Sequence, residues 1–185
     1  VIITDANDCM ITRSFTVNNP TFVTIPTSST PVACNGVCNG TATANPFGGT
    51  PPYSYLWNNL GQTSQTAVGL CAGNYNVTVT DDNGCSASTS VTVATPPQLQ
   101  FVNIAVGNAN CSGSANGSVQ VTVTGGVPPY TYTWSNGSTS SNPTGLTPGM
   151  HCVTVADVNG CYIDSCITIT EPVMVQINML ANNEI

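Results

Sequence analysis

Charge is the scarcest feature of this sequence. Of its 185 residues, only one is Lys or Arg and eight are Asp or Glu, which gives a formal net charge of −7. Proteins that bind nucleic acids neutralise phosphates with several Lys and Arg side chains. A chain whose single basic side chain is Arg13 is therefore expected to bind neither nucleic acid nor an anionic membrane surface.

Long apolar runs are missing as well. No run approaches the roughly 20 residues that a membrane-spanning helix needs, so membrane insertion is not expected. No secretory signal opens the chain, which starts with the strand-like residues 1–4. We therefore expect the sequence to be a window of a longer protein.

The residues that replace charge are Thr, Val, Ser, Asn and Gly, which favour strands and turns and predict an all-β fold. The nine cysteines indicate an oxidising, extracellular compartment. A metal site is the alternative, but only Cys34/Cys38 and Cys161/Cys166 approach the spacing of zinc ligands.

An internal repeat organises the chain. Residues 48–57 read GGTPPYSYLW, and residues 125–134 read GGVPPYTYTW, 77 positions later. The turn at 81–85 recurs 76 positions later at 157–161 and 76 positions earlier at 5–9. We predict the C-terminal strands of a truncated repeat over 1–20, complete repeats over 21–97 (repeat I) and 98–173 (repeat II), and the first strand of a further repeat over 174–185.

Alternating residues mark the strands of repeat II. Val119, Val121 and Val123 alternate with polar residues, and Tyr130, Tyr132 and Trp134 do the same. Turn signals about every ten residues separate six or seven such strands. This pattern is typical of a small β-sandwich of about 76 residues.

One short motif has the spacing of a tyrosine corner, in which a Tyr side chain hydrogen-bonds back to the preceding loop. The motif places Tyr75 at that position in repeat I and His151 in repeat II. His151 is therefore interpreted as a structural residue. A catalytic or metal-binding role would need a partner at a suitable distance, and the adjacent Cys152 points to the opposite face of a strand.

The blocks GG-x-PPY-x-Y-x-W and L-x-x-G-x-Y-x-V-x-V-x-D-x-NGC, followed by T-x-T-x-P, resemble the SprB repeat of gliding Bacteroidetes adhesins. The resemblance covers both complete repeats and the first tail. It implies tandem Ig-like β-sandwiches, type IX secretion, and a role in adhesion or surface motility at the cell surface. Four cysteines depart from the family pattern: Cys38, Cys71, Cys152 and Cys166.

Recurrence of the cysteines predicts their pairing. Two positions are shared by the repeats, so we predict the bonds Cys34–Cys85 and Cys111–Cys161. The other cysteines are predicted to pair within their repeats, as Cys38–Cys71 and Cys152–Cys166, because a hairpin folded about Asn159 places Cys152 opposite Cys166. Cys9 is left over. The Cys34–Cys85 bond would shield 51 residues of repeat I from extension under force.

The acidic turns are the candidates for ion binding. Asp81, Asp82 and Asp157 offer the carboxylate oxygens that calcium prefers. However, a hairpin turn in which Asn and Gly adopt left-handed conformations explains the same pattern without an ion. We predict no cofactor and no catalytic site, because neither a nucleophile with its base nor a pair of facing acids is visible.

Two functions remain open. The chain is either a stalk or filament segment that spaces an adhesive tip from the cell, with neighbouring repeats as its partners, or a carbohydrate-binding or accessory module that contacts surface glycans or other cell-surface proteins. The alternating Tyr53, Tyr55 and Trp57 are expected in the core. Phe47, which corresponds to Thr124 in repeat II, is the candidate for glycan stacking.

Overall fold

A computed structural model describes residues 1–16, 21–58 and 60–176. The last residues of the predicted segment 1–20 and most of the predicted strand in 174–185 lie outside these residues, and the predicted repeat boundaries stay a prediction. The chain divides into two compact units. The first comprises Val1–Ser28, Ala42–Ala67 and Asn74–Val91, and the second comprises Ser29–Thr41, Val68–Gly73 and Thr92–Ile185.

The described residues form strands and no helices, which confirms the all-β prediction. The strands are β1 (Ile2–Thr4), β2 (Met10–Thr12), β3 (Thr27–Thr30), β4 (Gly40–Ala44), β5 (Ser54–Trp57), β6 (Thr66–Leu70), β7 (Gly73–Thr80), β8 (Ser86–Val93), β9 (Gln100–Gly107), β10 (Gly117–Thr124), β11 (Thr131–Trp134), β12 (Thr144–Leu146), β13 (Gly149–Ala156) and β14 (Tyr162–Ile169).

Repeat II is a sandwich of two antiparallel sheets. One sheet has the strand order β12-β10-β9 and the other has the order β11-β13-β14. Large side chains from both sheets are buried together, among them Val121 of the first sheet and Trp134 and Val155 of the second. Burial of each such side chain contributes roughly 1.5–3 kcal/mol. The strand alternation of the sequence therefore does place one face of each sheet in a shared core.

Repeat I has the same strand order. Its sheets run β3-β4-β6 and β5-β7-β8, so every strand has a counterpart in repeat II. The tail contributes the hairpin β1-β2. Within the described ranges, no helix has the length and apolar character that crossing a bilayer requires.

Candidate functional site: the repeat ends and their cysteines

The acidic turn between the last two strands of repeat II is organised by Asp157. Its Oδ1 accepts hydrogen bonds from the backbone N–H groups of Asn159 and Cys161, at 2.9 and 3.0 Å. Its Oδ2 accepts another from the N–H of Val127, at 2.8 Å. The carboxylate is thus the centre of a turn that fixes the position of Cys161.

The same turn occurs at 81–85 and at 5–9. The carboxylate of Asp81 accepts N–H hydrogen bonds from Thr50, Asn83 and Cys85, at 2.9, 3.0 and 2.8 Å. In the tail, Oδ1 of Asp5 accepts hydrogen bonds from the N–H groups of residues 7 and 9, at 2.9 and 3.0 Å. Each turn therefore presents its cysteine in a frame set by its first residue.

These hydrogen bonds bear on the calcium candidates. Donation from Thr50 above all, and from the turn residues that include Cys85, lowers the pKa of Asp81 below its ordinary value against an opposing effect of burial. The oxygens of Asp81 and Asp157 face N–H donors, while Asp82 is exposed on the turn. Among the described residues, no group of three or more His, Cys, Asp or Glu side chains is placed to hold a metal ion.

The double glycine of each repeat lies against this turn. At Gly125, where φ is +77°, a Cβ would lie 1.9 Å from the carbonyl oxygen of Gln98. At Gly126, a Cβ would lie 2.8 Å from Oδ2 of Asp157. The hydroxyl of Tyr130 donates to the carbonyl of Gly125 at 2.7 Å. The GG-x-PPY motif therefore joins the start of the repeat to its acidic turn.

This packing defines the leading end of a repeat, where its first residues and its acidic turn meet. In repeat II, the N–H of Gly126 donates to the carbonyl of Pro97 at 2.7 Å, and the N–H of Val158 donates to Val127 at 3.1 Å. In repeat I, the N–H of Gly49 donates to the carbonyl of Thr21 at 3.0 Å. Cys85 and Cys161 therefore lie at the leading ends of their repeats.

The other recurring cysteine lies at the opposite, trailing end. In repeat II, the N–H of Ala109 donates to the carbonyl of Thr170 at 3.0 Å, so the loop that carries Cys111 lies where β14 ends. In repeat I, the N–H of Val32 donates to the carbonyl of Ala94 at 3.0 Å, which places the loop of Cys34 where β8 ends.

The structure contains three disulfides. Cys38 is bonded to Cys71 and Cys152 to Cys166, which are the two pairs that the sequence predicts within single repeats. Cys34, however, is bonded to Cys161, with 5.6 Å between the Cα atoms. The free cysteines are Cys9, Cys85 and Cys111, all of them exposed.

The predicted bonds Cys34–Cys85 and Cys111–Cys161 are therefore wrong, and the strand length explains why. Cys85 precedes β8 and Cys161 precedes β14, whereas the loops of Cys34 and Cys111 lie where these strands end. Eight extended residues span about 25 Å. A disulfide needs Cα atoms within about 7 Å.

Cys34 and Cys161 meet because the trailing end of repeat I and the leading end of repeat II both flank residues 94–99. Recurrence identified both cysteine positions but gave no information about which end of the repeat each position occupies. Shared cysteines that pair one repeat apart leave Cys111 unpaired on one side of the bond and Cys9 and Cys85 unpaired on the other.

His151 occupies the corner position that the sequence predicts. It is buried, and its Nε2 donates to the carbonyl oxygen of Thr147 at 2.9 Å. This bond is local, four residues back along the chain, as in a tyrosine corner. The side chain is thus engaged in holding the turn before β13.

The aromatic residues are buried, half-buried or exposed, and Tyr53 and Tyr55, which the sequence predicts in the core, are half-buried. Trp57 and Trp134 are buried, and their indole N–H groups donate to the carbonyls of Ser64 and Ser140, at 2.9 and 2.8 Å. Burial above all, and in addition the neighbouring Tyr130, raises the pKa of Tyr132. Phe47, in contrast, has 57% of its surface exposed.

Repeat II has two antiparallel sheets around a shared core and a corner residue near the start of its second-to-last strand, β13. Together with the recurrence of about 76 residues, these features define a tandem array of Ig-like β-sandwich repeats. The sequence pattern of the SprB repeat matches residues 27–62 and 103–139, once in each complete repeat. The chain therefore contains two segments that match the SprB repeat, and such repeats occur in cell-surface proteins.

Several solved structures are similar to this chain. Three N-terminal domains of the highly immunogenic outer capsid protein of bacteriophage RB49 share 19% identity with it, with a TM-score of 0.49, over 82% of this chain and 59% of that chain. The N-terminal eight Ig domains of Down Syndrome Cell Adhesion Molecule share 14% identity, with a TM-score of 0.40, over 83% of this chain and 25% of that chain.

A C-terminal 282-residue fragment of intimin, solved in complex with the intimin-binding domain of its translocated receptor, shares 17% identity. Its TM-score is 0.43, over 82% of this chain and 64% of that chain. This chain thus spans less than two thirds of each of these three structures. No curated protein matches the sequence.

Proposed function

We propose that this chain is a stalk segment of a large secreted cell-surface adhesin, which acts in gliding motility or surface attachment and is exported by the type IX route. The SprB repeats and the Ig-like fold support an adhesin-type surface module of a non-enzymatic, structural kind. Neighbouring repeats are its partners, and the proposal requires no cofactor. The observation that carries it is the bond between Cys34 and Cys161.

A stalk in series is pulled through its first and last strands, so every repeat carries the same tension. The Cys34–Cys161 bond connects positions that are 127 residues apart in sequence. Tension that reaches Cys34 passes directly to Cys161, and the residues between them are not extended. A module that only bound a ligand would gain nothing from this shielding. A stalk under tension would gain, because most of its two repeats could not be extended beyond their folded length.

Single-molecule pulling between the chain termini tests the proposal. The contour length released by unfolding should be smaller in the oxidised chain than in the reduced chain by roughly 440 Å, since each of the 127 shielded residues contributes about 3.5 Å. Cys34→Ser should release most of that length under oxidising conditions. Cys38→Ser is the matched control, because its bond with Cys71 spans only 33 residues inside the same shielded segment.

Equal contour lengths for the oxidised and reduced chains would contradict the stalk proposal, because tension would then not cross the bond. Direct glycan binding is the competing function, and the exposed Phe47 is the residue on which it would depend.

A further inference from the structure

The three free cysteines all occupy positions whose counterparts form the Cys34–Cys161 bond. Cys111 corresponds to Cys34 at an offset of 77, and Cys85 and Cys9 correspond to Cys161 at offsets of 76 and 152. The remaining four cysteines are already paired within their repeats. The free thiols are therefore one set of trailing-end and leading-end positions, not unrelated side chains.

The backbone around Cys111 reproduces the backbone around Cys34. The N–H of Ala33 donates to Oδ1 of Asn39 at 2.9 Å, and the N–H of Asn110 donates to Oδ1 of Asn116 at 3.1 Å. The carbonyl of Cys34 accepts from the N–H three residues later at 3.2 Å, and the carbonyl of Cys111 does so at 3.1 Å. Cys111 is thus presented at its trailing end as Cys34 is presented at its own.

The turns agree equally well. The N–H of Cys161 donates to Oδ1 of Asp157 at 3.0 Å, and the N–H groups of Cys85 and Cys9 donate to Oδ1 of Asp81 and Asp5, at 2.8 and 3.0 Å. The backbone frames that hold the two bonded cysteines at one joint therefore recur around all three free cysteines.

We propose that the Cys34–Cys161 bond is one link of a regular cross-link along the array, in which the trailing-end cysteine of each repeat is bonded to the leading-end cysteine of the next. Cys111 is the position that forms a disulfide with a following repeat of the same chain. Cys85 and Cys9 are the positions that form disulfides with preceding repeats. Successive links overlap in sequence, because the segment enclosed by one link contains the trailing-end cysteine of the next.

Each link forms by oxidation of two thiols. The two sulfur atoms join, and the two electrons and two protons pass to a small disulfide, which leaves as two thiols. The inference rests on the tandem array of the proposed function but not on the stalk role. Its test measures thiol pairing, so the two can fail separately.

A chain in which one repeat is duplicated in place tests the proposal. A copy of residues 97–172 is inserted after Pro172 of the full chain, which recreates the Pro-Pro joint found at Pro96-Pro97. Tyr162→Phe in the copy marks its cysteine peptide, since Tyr162 is exposed and follows Cys161. The chain is oxidised with a small disulfide, alkylated without reduction, digested and analysed by mass spectrometry.

The expected result is that Cys111 of the original repeat is joined to the marked Cys161 of the copy, while Cys34 stays joined to the original Cys161. The free thiols are then Cys9, Cys85 and the copied Cys111. Cys111→Ser in the original repeat should leave the marked cysteine fully alkylated and the Cys34 bond unchanged. Alkylation of the marked Cys161 beside an intact Cys34–Cys161 bond would overturn the proposal, as would a Cys111 bond between separate chains.

A second measurement uses the full chain without an insertion, so that the proposal does not depend on folding of the longer chain. In the Cys34→Ser variant, Cys161 and Cys111 should both be alkylated, because they lie at opposite ends of repeat II. A bond between them would show that the two ends can meet within one repeat, and the cross-link between successive repeats would be wrong.

Discussion

The side-chain amide of Asn159 donates a hydrogen bond to the backbone carbonyl of Ala33, 126 residues earlier in the chain, at 3.0 Å. This contact lies directly beside the Cys34–Cys161 bond. Its counterpart in repeat I, Asn83, donates instead to the hydroxyl of Thr50 at 2.8 Å. The side chain of the third residue of the acidic turn therefore donates its hydrogen bond to the neighbouring repeat in one case and to its own repeat in the other.

Loss of the Cys34–Cys161 bond should destabilise the chain more than loss of a hairpin bond. From chain entropy, a bond closing 127 residues contributes about 5 kcal/mol and one closing 14 residues about 3 kcal/mol. Denaturant unfolding of oxidised Cys34→Ser and Cys152→Ser chains compares the two. The difference should vanish in reducing buffer, and a larger loss for Cys152→Ser in oxidising buffer would contradict the expectation.

The acidic turn of repeat I should make stability depend on pH. Because hydrogen bonds hold the pKa of folded Asp81 below its ordinary value of 3.8, its carboxylate contributes stability above that pH. The contribution is lost as the pH falls through the folded-state pKa. Asp81→Asn should lower the free energy of unfolding at pH 7 and weaken the loss of stability on acidification below about pH 4.

Asp82→Asn is the matched control for that experiment, since Asp82 is the exposed neighbour in the same turn. Its unfolding curves should follow those of the unaltered chain from pH 3 to pH 7. Calcium adds a second comparison. If millimolar calcium raised the melting temperature of the unaltered chain but not of Asp81→Asn, the turn would be an ion site and not only a hydrogen-bonded one.

The double glycine should be intolerant of any side chain. Gly125→Ala places a Cβ against the carbonyl of Gln98, whereas Gly137→Ala meets nothing within 4 Å. Both residues have positive φ, at 77° and 83°, so both variants carry a backbone strain of about 1–2 kcal/mol. Gly125→Ala should lose roughly 1–3 kcal/mol more. Thermal unfolding of the two variants measures the difference. Equal losses of stability would show that the backbone shifts to relieve the contact between the new Cβ and the carbonyl of Gln98.

The corner of repeat II offers a test by rescue. His151→Phe removes the hydrogen bond from the buried imidazole to the carbonyl of the exposed Thr147, which should cost about 0.5–1.5 kcal/mol. His151→Tyr supplies a hydroxyl, as Tyr75 does at the corresponding position of repeat I, and should recover part of that loss. If His151→Phe were as stable as the unaltered chain, the corner hydrogen bond would not contribute to stability.

The stalk proposal also predicts the outcome of a glycan-binding experiment. Phe47→Ala should leave glycan-array signals of the full chain unchanged, because a spacer uses its core and its joints and not an isolated exposed ring. Leu56→Ala is the control for removal of an exposed apolar side chain outside that position. Specific binding that disappears in Phe47→Ala alone would favour the carbohydrate-binding function instead.

The local sequence pattern was sufficient to predict the strands and one of the disulfides. Alternation of Val119, Val121 and Tyr132 with polar residues predicted the strands and their buried faces, because the side-chain period of a strand is two residues. The Cys152–Cys166 pair followed from the register of a single hairpin, and the structure pairs these two residues across β13 and β14. Both inferences needed only residues close together in sequence.

The pairing of Cys34 was decided by the tertiary structure alone. The sequence established by itself that the chain is a β-rich, disulfide-containing tandem array, since composition, recurrence and alternation are properties of the string of residues. It could not establish which end of a repeat carries each recurring cysteine, because that depends on how two sheets fold back on each other. A strand of eight residues separates Cys161 from the loop of Cys111, and succession of the repeats brings it to Cys34 instead.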